Sequence, residues 1–120
     1  MTTQENDSLL DMRVVEQLLS HKRNGQSAFE RLLPVFLEES RMLVEQIRCA
    51  ISASDNEGLR LTAHKLKGGA SVLGAKCVRD VAQEIMNAVD GGTDVLPETI
   101  RDAEDAVDRF ADEAARLLGK

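Results

Sequence analysis

The sequence predicts an all-α domain, and three observations lead to this fold class. Apolar residues recur at steps of three and four over most of the 120-residue chain, which is the spacing of one helix face. No stretch alternates apolar and polar residues as a half-buried strand does. Short segments containing Gly, Asn or Pro separate the periodic stretches. We therefore expect an antiparallel up-down four-helix bundle with a short additional N-terminal helix.

The N-terminal segment has two predicted parts. Residues 1–7 are polar and acidic and are predicted to be disordered, so that residues 8–120 form a single domain. Asp7 or Ser8 is a candidate cap for a short first helix, which Asn24-Gly25-Gln26 ends. The apolar residues of this helix lie on two adjoining stripes: Leu10, Val14 and Leu18, and Leu9, Val15 and Leu19.

A long second helix is predicted to begin after Ser27. Ser27 and Glu30 have the spacing of a capping box, in which each side chain bonds the other residue's backbone N–H. Pro34 removes a backbone donor, so we expect a kink or a later start to the helix. The residues predicted to face inward are Phe29, Leu33, Phe36, Leu43, Ile47 and Ile51.

Three further helices complete the predicted bundle. Ser54 to Glu57 offer a second capping box before the third helix, and Gly74 marks a helix end or a tight turn after it. Gly91-Gly92 ends the fourth helix, and Pro97 falls in the first turn of the last. The predicted inner stripes are Leu59, Ala63, Leu66, Ala70 and Leu73; then Val78, Val81, Ile85 and Val89; then Leu96, Ile100, Ala103, Val107, Phe110, Ala114 and Leu117.

Composition excludes several classes of function. A formal net charge of −6 argues against nucleic acid as a ligand, and three Phe with no Trp or Tyr leave few platforms for base stacking. The apolar runs are too short to span a membrane, and the N-terminus does not resemble a secretory signal. Cys49 and Cys77 have no CxxC partner and are predicted to be buried or half-buried free thiols, which suits a reducing cytoplasm.

The candidate site lies on the third helix. His64 lies roughly 140° around the helix from the middle of the apolar stripe, so it is predicted to point away from the core. Lys67 and Gly68 follow three and four residues later and border it on the same surface. An exposed imidazole beside a cation, with no side chain on the next turn, is suited to holding a phosphoryl group.

Other residues near His64 are candidates for supporting roles. Arg60 and Lys65 flank the imidazole on the same helix and are candidates to stabilise a phosphoryl group. Gly69 is predicted, with Gly68, to leave room for a partner, and Gly74 to form the turn. No spacing of ligands predicts a metal site on this chain, and no glycine-rich phosphate loop predicts ATP binding.

The spacing of His64, Lys67, Gly68 and Gly74 resembles the motif of histidine phosphotransfer (HPt) domains of two-component phosphorelays. The resemblance implies that His64 accepts a phosphoryl group from a receiver-domain aspartate and passes it to another receiver domain, without autokinase activity. The implied partners are the receiver domains of a hybrid sensor histidine kinase and of a response regulator. Mg²⁺ is then expected in the receiver domain, and this chain is expected to be a cytoplasmic monomer without a cofactor.

The sequence leaves open both an alternative function and the group that fixes the His64 tautomer. The alternative function is a helical adaptor that binds receiver or kinase domains without phosphotransfer. In some members of the family that the motif resembles, a glutamine on the following helix reaches the active imidazole. Ungapped spacing places that position near Met86, with Gln83 one turn earlier, so we assign neither to the site and leave open how the His64 tautomer is fixed.

Overall fold

The computed structural model describes residues 9–120, and five helices make up most of this part of the chain. The predicted all-α class is therefore confirmed. The predicted disorder of residues 1–7, the boundary at residue 8 and the cap at Asp7 or Ser8 lie outside the described residues. The helices are α1 (Met12–Ser20), α2 (Ala28–Ser52), α3 (Asn56–Leu73), α4 (Lys76–Asp90) and α5 (Pro97–Leu117).

The four longer helices form a closed ring of neighbours. Each of α2, α3 and α4 packs on the helix that follows it, and α5 returns to pack on α2. This is the predicted up-down arrangement, which short connections favour because consecutive helices must then run antiparallel. α1 packs on α2 and α3 at one end of the bundle, where the Asp11 backbone N–H donates to the Gly74 carbonyl at 2.8 Å. None of the helices in this part of the chain is both long and apolar enough to cross a membrane.

A small β-hairpin between α1 and α2 was not predicted. Strands β1 (Lys22–Arg23) and β2 (Gln26–Ser27) pair antiparallel across a turn at Asn24 and Gly25. Both turn residues have positive φ, 54° and 78°, which is the conformation that Asn-Gly favours in two-residue hairpins. The strands are too short to show alternation, so the Asn-Gly pair was the available signal. The prediction that Asn24-Gly25-Gln26 ends the first helix is wrong, because α1 already ends at Ser20.

The predicted start of α2 is confirmed at the atomic level. Ser27 Oγ accepts from the Glu30 backbone N–H at 3.1 Å, and Glu30 Oε1 accepts from the Ser27 N–H at 3.3 Å. The helix begins at Ala28 and continues through Pro34, so the alternative of a later start is wrong. Pro34 is exposed, and the helix lacks one backbone hydrogen bond at this turn because proline has no N–H.

The predicted second capping box is wrong by one residue. Asp55, rather than Ser54, is the N-cap of α3, and its Oδ1 accepts from the Gly58 N–H at 2.9 Å. Ser54 instead has a positive φ of 55° in the connection from α2. Both residues are good caps in isolation, so their choice depends on where the connecting loop turns.

One hydrophobic core runs through the bundle, and α3 matches its predicted stripe completely. All five predicted residues are buried: Leu59, Ala63, Leu66, Ala70 and Leu73. The three phenylalanines of the sequence also meet in this core. Phe110 contacts Phe36 and Phe29 edge-on, with ring centroids 5.4 and 6.3 Å apart, which ties α5 to α2.

The inner faces of the last two helices differ in part from the prediction. In α4, Val78 and Ile85 are buried as expected, but Ala82 and Met86 complete the face while Val81 and Val89 are only half-buried. In α5, the stripe is buried from Ile100 to Ala114. Leu96 and Leu117 are exposed because they lie at the two extremities of the helix, beyond the neighbours that would cover them.

The two cysteines have different surroundings. Cys77 is half-buried as predicted, and its Sγ lies 3.4 Å from the Ala106 carbonyl. Cys49 is exposed, so the prediction that it would be at least half-buried is wrong. Cys49 is at the border of the inner face of α2, where the sequence pattern does not determine how far the neighbouring helix extends.

Gly74 should be required for stability, whereas Gly68 should not. Gly74 has φ +74°, and a Cβ there would lie 2.9 Å from the Asp11 carbonyl oxygen and from Val15 Cγ2. Gly74→Ala should therefore lower the free energy of unfolding by about 2–4 kcal/mol, from left-handed strain and overpacking. Gly68→Ala meets open space in a helix interior and should raise it by roughly 1 kcal/mol. Urea unfolding of both variants measures these two free energies of unfolding. Equal values for Gly74→Ala and Gly68→Ala would contradict the assigned role of Gly74.

Candidate functional site

His64 is presented to solvent by the packing of α3. Its neighbour Ala63 is completely buried, and the buried stripe of α3 packs between α2 and α4. Because His64 lies well around the helix from that stripe, its side chain is exposed, as predicted. An exposed neutral imidazole offers a ring nitrogen lone pair to an incoming group.

Lys67 lies beside His64 and is hydrogen-bonded to the neighbouring helix. Its half-buried side chain reaches α4, where Nζ donates to Gln83 Oε1 at 2.6 Å. The amide nitrogen of Gln83 donates in turn to Asn87 Oδ1 at 2.9 Å. The structure thus brings Gln83, which the sequence analysis did not assign to the site, into contact with a predicted site residue.

Arg60 lies one turn before His64 and is already paired with a carboxylate. Its Nε donates to Asp90 Oδ1 at 2.7 Å and its Nη2 to Asp90 Oδ2 at 3.4 Å. This hydrogen-bonded pair lowers the pKa of Asp90 and raises the pKa of Arg60. Both side chains are about half exposed, so the pair is screened by solvent. A phosphoryl group on His64 would have to compete with Asp90 for this guanidinium.

Lys65 and Gly69 lie toward α2 rather than directly over the imidazole. The Lys65 side chain borders an apolar groove between α2 and α3. A Cβ on Gly69 would lie 3.7 Å from the Phe36 ring, which is an ordinary contact. The structure therefore places Gly69 between α2 and α3, and its role in leaving room for a partner stays a prediction.

Gly68 leaves open space next to His64. A Cβ built on Gly68 would meet no atom within 4 Å, and the residue is exposed. No packing constraint in the described chain therefore explains a glycine here, although glycine destabilises a helix interior by roughly 1 kcal/mol relative to alanine. The fold by itself therefore gives no reason for a missing side chain at this position.

The groove between α2 and α3 adds apolar surface beside the site. Val35 on α2 and Val72 on α3 line the groove and are 61% and 58% exposed, so apolar side chains face solvent here. Its lining residues are Leu32, Val35, Phe36, Glu39, Ser40, Leu43, Lys65, Leu66, Gly69, Val72 and Leu73.

The contacts to α4 follow a simple geometric rule. Lys67 and Gln83 lie eight residues before and after Ala75, and Arg60 and Asp90 lie fifteen residues before and after it. In an antiparallel helix pair joined by a tight turn, positions equidistant from the turn come opposite each other. With Gly74 taken as the turn, the sequence alone could therefore have predicted that Gln83 lies opposite Lys67 and Asp90 opposite Arg60. The position near Met86 is buried, so it supplies no hydrogen bond to His64.

These observations define a helical bundle whose candidate reactive group is a surface histidine, with a lysine beside it and open space on the next turn. Within residues 9–120, no group of three or more His, Cys, Asp or Glu side chains is arranged to hold a metal ion. An exposed imidazole can act as a nucleophile, and a neighbouring cation can offset the charge of a phosphoryl group held on it.

Comparison with known proteins agrees with this geometry. The sequence model of the Hpt domain matches residues 31–119, which include the whole site, and the chain therefore belongs to the Hpt domain family and has a phosphorelay role of that type. A crystal structure of the HPT domain from the Hpt sensor hybrid histidine kinase of Shewanella is 25% identical, with a TM-score of 0.67. The alignment covers 92% of this chain and 93% of that one. No curated protein matches the chain.

Proposed function

We propose that this protein is a phosphorelay intermediate that accepts a phosphoryl group on His64 from a receiver-domain aspartate and passes it to another receiver domain. The phosphoryl donor is the receiver domain of a hybrid sensor histidine kinase, and the acceptor is the receiver domain of a response regulator. The protein acts as a cytoplasmic monomer. The observation that carries the proposal is the exposed imidazole next to Lys67 and the open surface at Gly68, in a chain of the Hpt domain family.

The transfer needs a free ring nitrogen and a carboxylate leaving group. An unprotonated nitrogen of His64 attacks the phosphorus of the aspartyl phosphate, a P–N bond forms, and the bond from phosphorus to the acyl oxygen breaks. The aspartate leaves as a carboxylate, and the other ring nitrogen holds the imidazole proton or loses it to water. The reverse steps with a second receiver aspartate return the imidazole to its starting state.

Lys67 and Gly68 support the two requirements of this step. The Lys67 ammonium can donate a charge-assisted hydrogen bond to a phosphoryl oxygen, offsetting the charge that His64 acquires. The open surface at Gly68 lets the partner's active site approach the imidazole. We assign the Mg²⁺ of the reaction to the acidic pocket of the receiver domain. The chain itself supplies the nucleophile and a cation.

The groove between α2 and α3 is the surface we propose for receiver docking. It adjoins the site through Gly69 and Lys65, and its exposed valines supply apolar area that a partner can bury. A patch of this kind suits a small, transient interface, as a relay that must bind two partners in turn requires. The same groove would serve a helical adaptor without phosphotransfer, so the chemistry at His64 distinguishes the two functions.

His64→Gln should abolish phosphohistidine formation. The exposed side chain lies outside the core, so circular dichroism and the melting temperature should stay close to wild type. His21→Gln is the matched control, since His21 is exposed at the end of α1. Within residues 9–120, the ring of His21 is hydrogen-bonded only to the Gln17 carbonyl, one turn earlier on the same helix. It should label normally. Retained acid-labile labelling in His64→Gln would reject the proposal, and receiver binding without any labelling of wild type would favour the adaptor.

Gly68→Gln should slow transfer to a receiver domain while leaving the fold intact. The added side chain occupies the space beside His64, whereas helix propensity alone predicts slight stabilisation. We expect a transfer rate lower by at least about tenfold, as for a small displacement of reacting groups. Gly68→Ala adds only a methyl group and should lose less. If rapid-quench measurements give the same rate for all three proteins, the space at Gly68 has no part in docking.

Chelation should stop transfer without discharging the phosphohistidine. If the metal belongs to the receiver, excess EDTA should block transfer to a receiver that accepts from wild type, while the phosphorylated protein alone stays labelled. Calorimetry should detect no tight Mg²⁺ binding by the isolated chain. A tight site on this chain, or fast transfer in excess EDTA, would show that the metal assignment is wrong.

A further inference from the structure

Two cations of α3 stand on either side of His64, and α4 holds each of them differently. Arg60 is one turn before the imidazole and pairs with the Asp90 carboxylate. Lys67 is one turn after it and donates to the neutral amide oxygen of Gln83. The two contacts lie seven residues apart on each helix, so they belong to one row of the α3–α4 interface.

The charge of the acceptor on α4 decides how much positive charge each cation can still offer to a third group. A carboxylate cancels most of the field of a guanidinium beyond the pair, whereas an amide oxygen uses one N–H of an ammonium and leaves its full charge. An ammonium has three N–H donors, so two remain available to Lys67 after its bond to Gln83. The neighbouring helix therefore neutralises Arg60 and preserves the positive charge of Lys67.

The amide of Gln83 is itself held in one orientation. Lys67 can only donate, so the amide oxygen must face it, and the amide nitrogen then donates to Asn87. This chain of bonds restrains the long Lys67 side chain before any phosphoryl group arrives. A restrained cation does not have to lose its rotamer freedom during the reaction.

We propose that Gln83 is a positioning residue of the site, which holds the Lys67 ammonium beside His64 without neutralising it. The inference rests on the proposed function of His64 and adds a residue to that site. Gln83 acts through Lys67 alone, so its effect should vanish when Lys67 is removed.

The test uses the full chain and phosphoramidate as a small phosphoryl donor. His64 attacks the phosphorus, the bond to the donor nitrogen breaks, and ammonia leaves. Gln83→Glu places a carboxylate against Lys67 and should slow labelling by about tenfold. Gln83→Met removes the hydrogen bond but keeps the length, and should slow it by only about threefold. Gln17→Glu makes the same charge change at an exposed position of α1 and should label at the wild-type rate.

A double-mutant cycle separates positioning from a structural role. Lys67→Ala should label about tenfold more slowly, and adding Gln83→Glu to it should slow labelling less than about twofold further. Melting temperatures of the single variants should not follow the labelling rates. Wild-type labelling by Gln83→Glu, or an undiminished effect of that change without Lys67, would overturn the inference while the role of His64 stands. Absence of any labelling of wild-type His64 would instead remove the proposed function, and the inference with it.

Discussion

The rotational setting of α3 about its own axis is the constraint on which the site depends. Five apolar residues on one stripe are buried between α2 and α4, and two of them are alanines that admit the neighbouring helices closely. Moving this stripe by one residue would turn every side chain by about 100° and expose leucines. His64 therefore points to solvent because the opposite face of its helix has only one way to be buried. The outward direction of His64 is thus a consequence of how the core packs.

Three glycines in and after the second half of α3 differ in what an added side chain would meet. Gly74 adopts a left-handed conformation where the backbone of Asp11 comes too close for a side chain. Gly69 faces the Phe36 ring at a distance that an added methyl group would also tolerate. Gly68 faces nothing, so the folded chain alone does not require it. The glycine that the fold explains least is the one beside the candidate nucleophile, which is where a requirement of function is expected to appear.

The electrostatics of the site are decided by α4 more than by α3. Arg60 and Lys67 are both cations one turn from His64, and their spacing along α3 does not show how much of each charge stays available. Across the helix pair, one meets a carboxylate and the other an amide. The resulting asymmetry places the available positive charge on the side of the imidazole where Gly68 leaves access. The cation whose charge stays available and the open position at Gly68 thus both follow His64 within about one helical turn.

The sequence by itself determined the features that depend on local spacing. The helices, the Ser27–Glu30 capping box, the buried stripe of α3, the turn at Gly74 and the outward direction of His64 all follow from residues within a few positions of one another. The tertiary structure decided which residues meet across helices and how far each helix is covered. It paired Lys67 with Gln83 and Arg60 with Asp90, exposed Cys49, Leu96 and Leu117, and selected Asp55 over Ser54 as a cap. Periodicity fixes the direction of a side chain about its own helix axis, whereas contacts between helices depend on register and on where each neighbour ends.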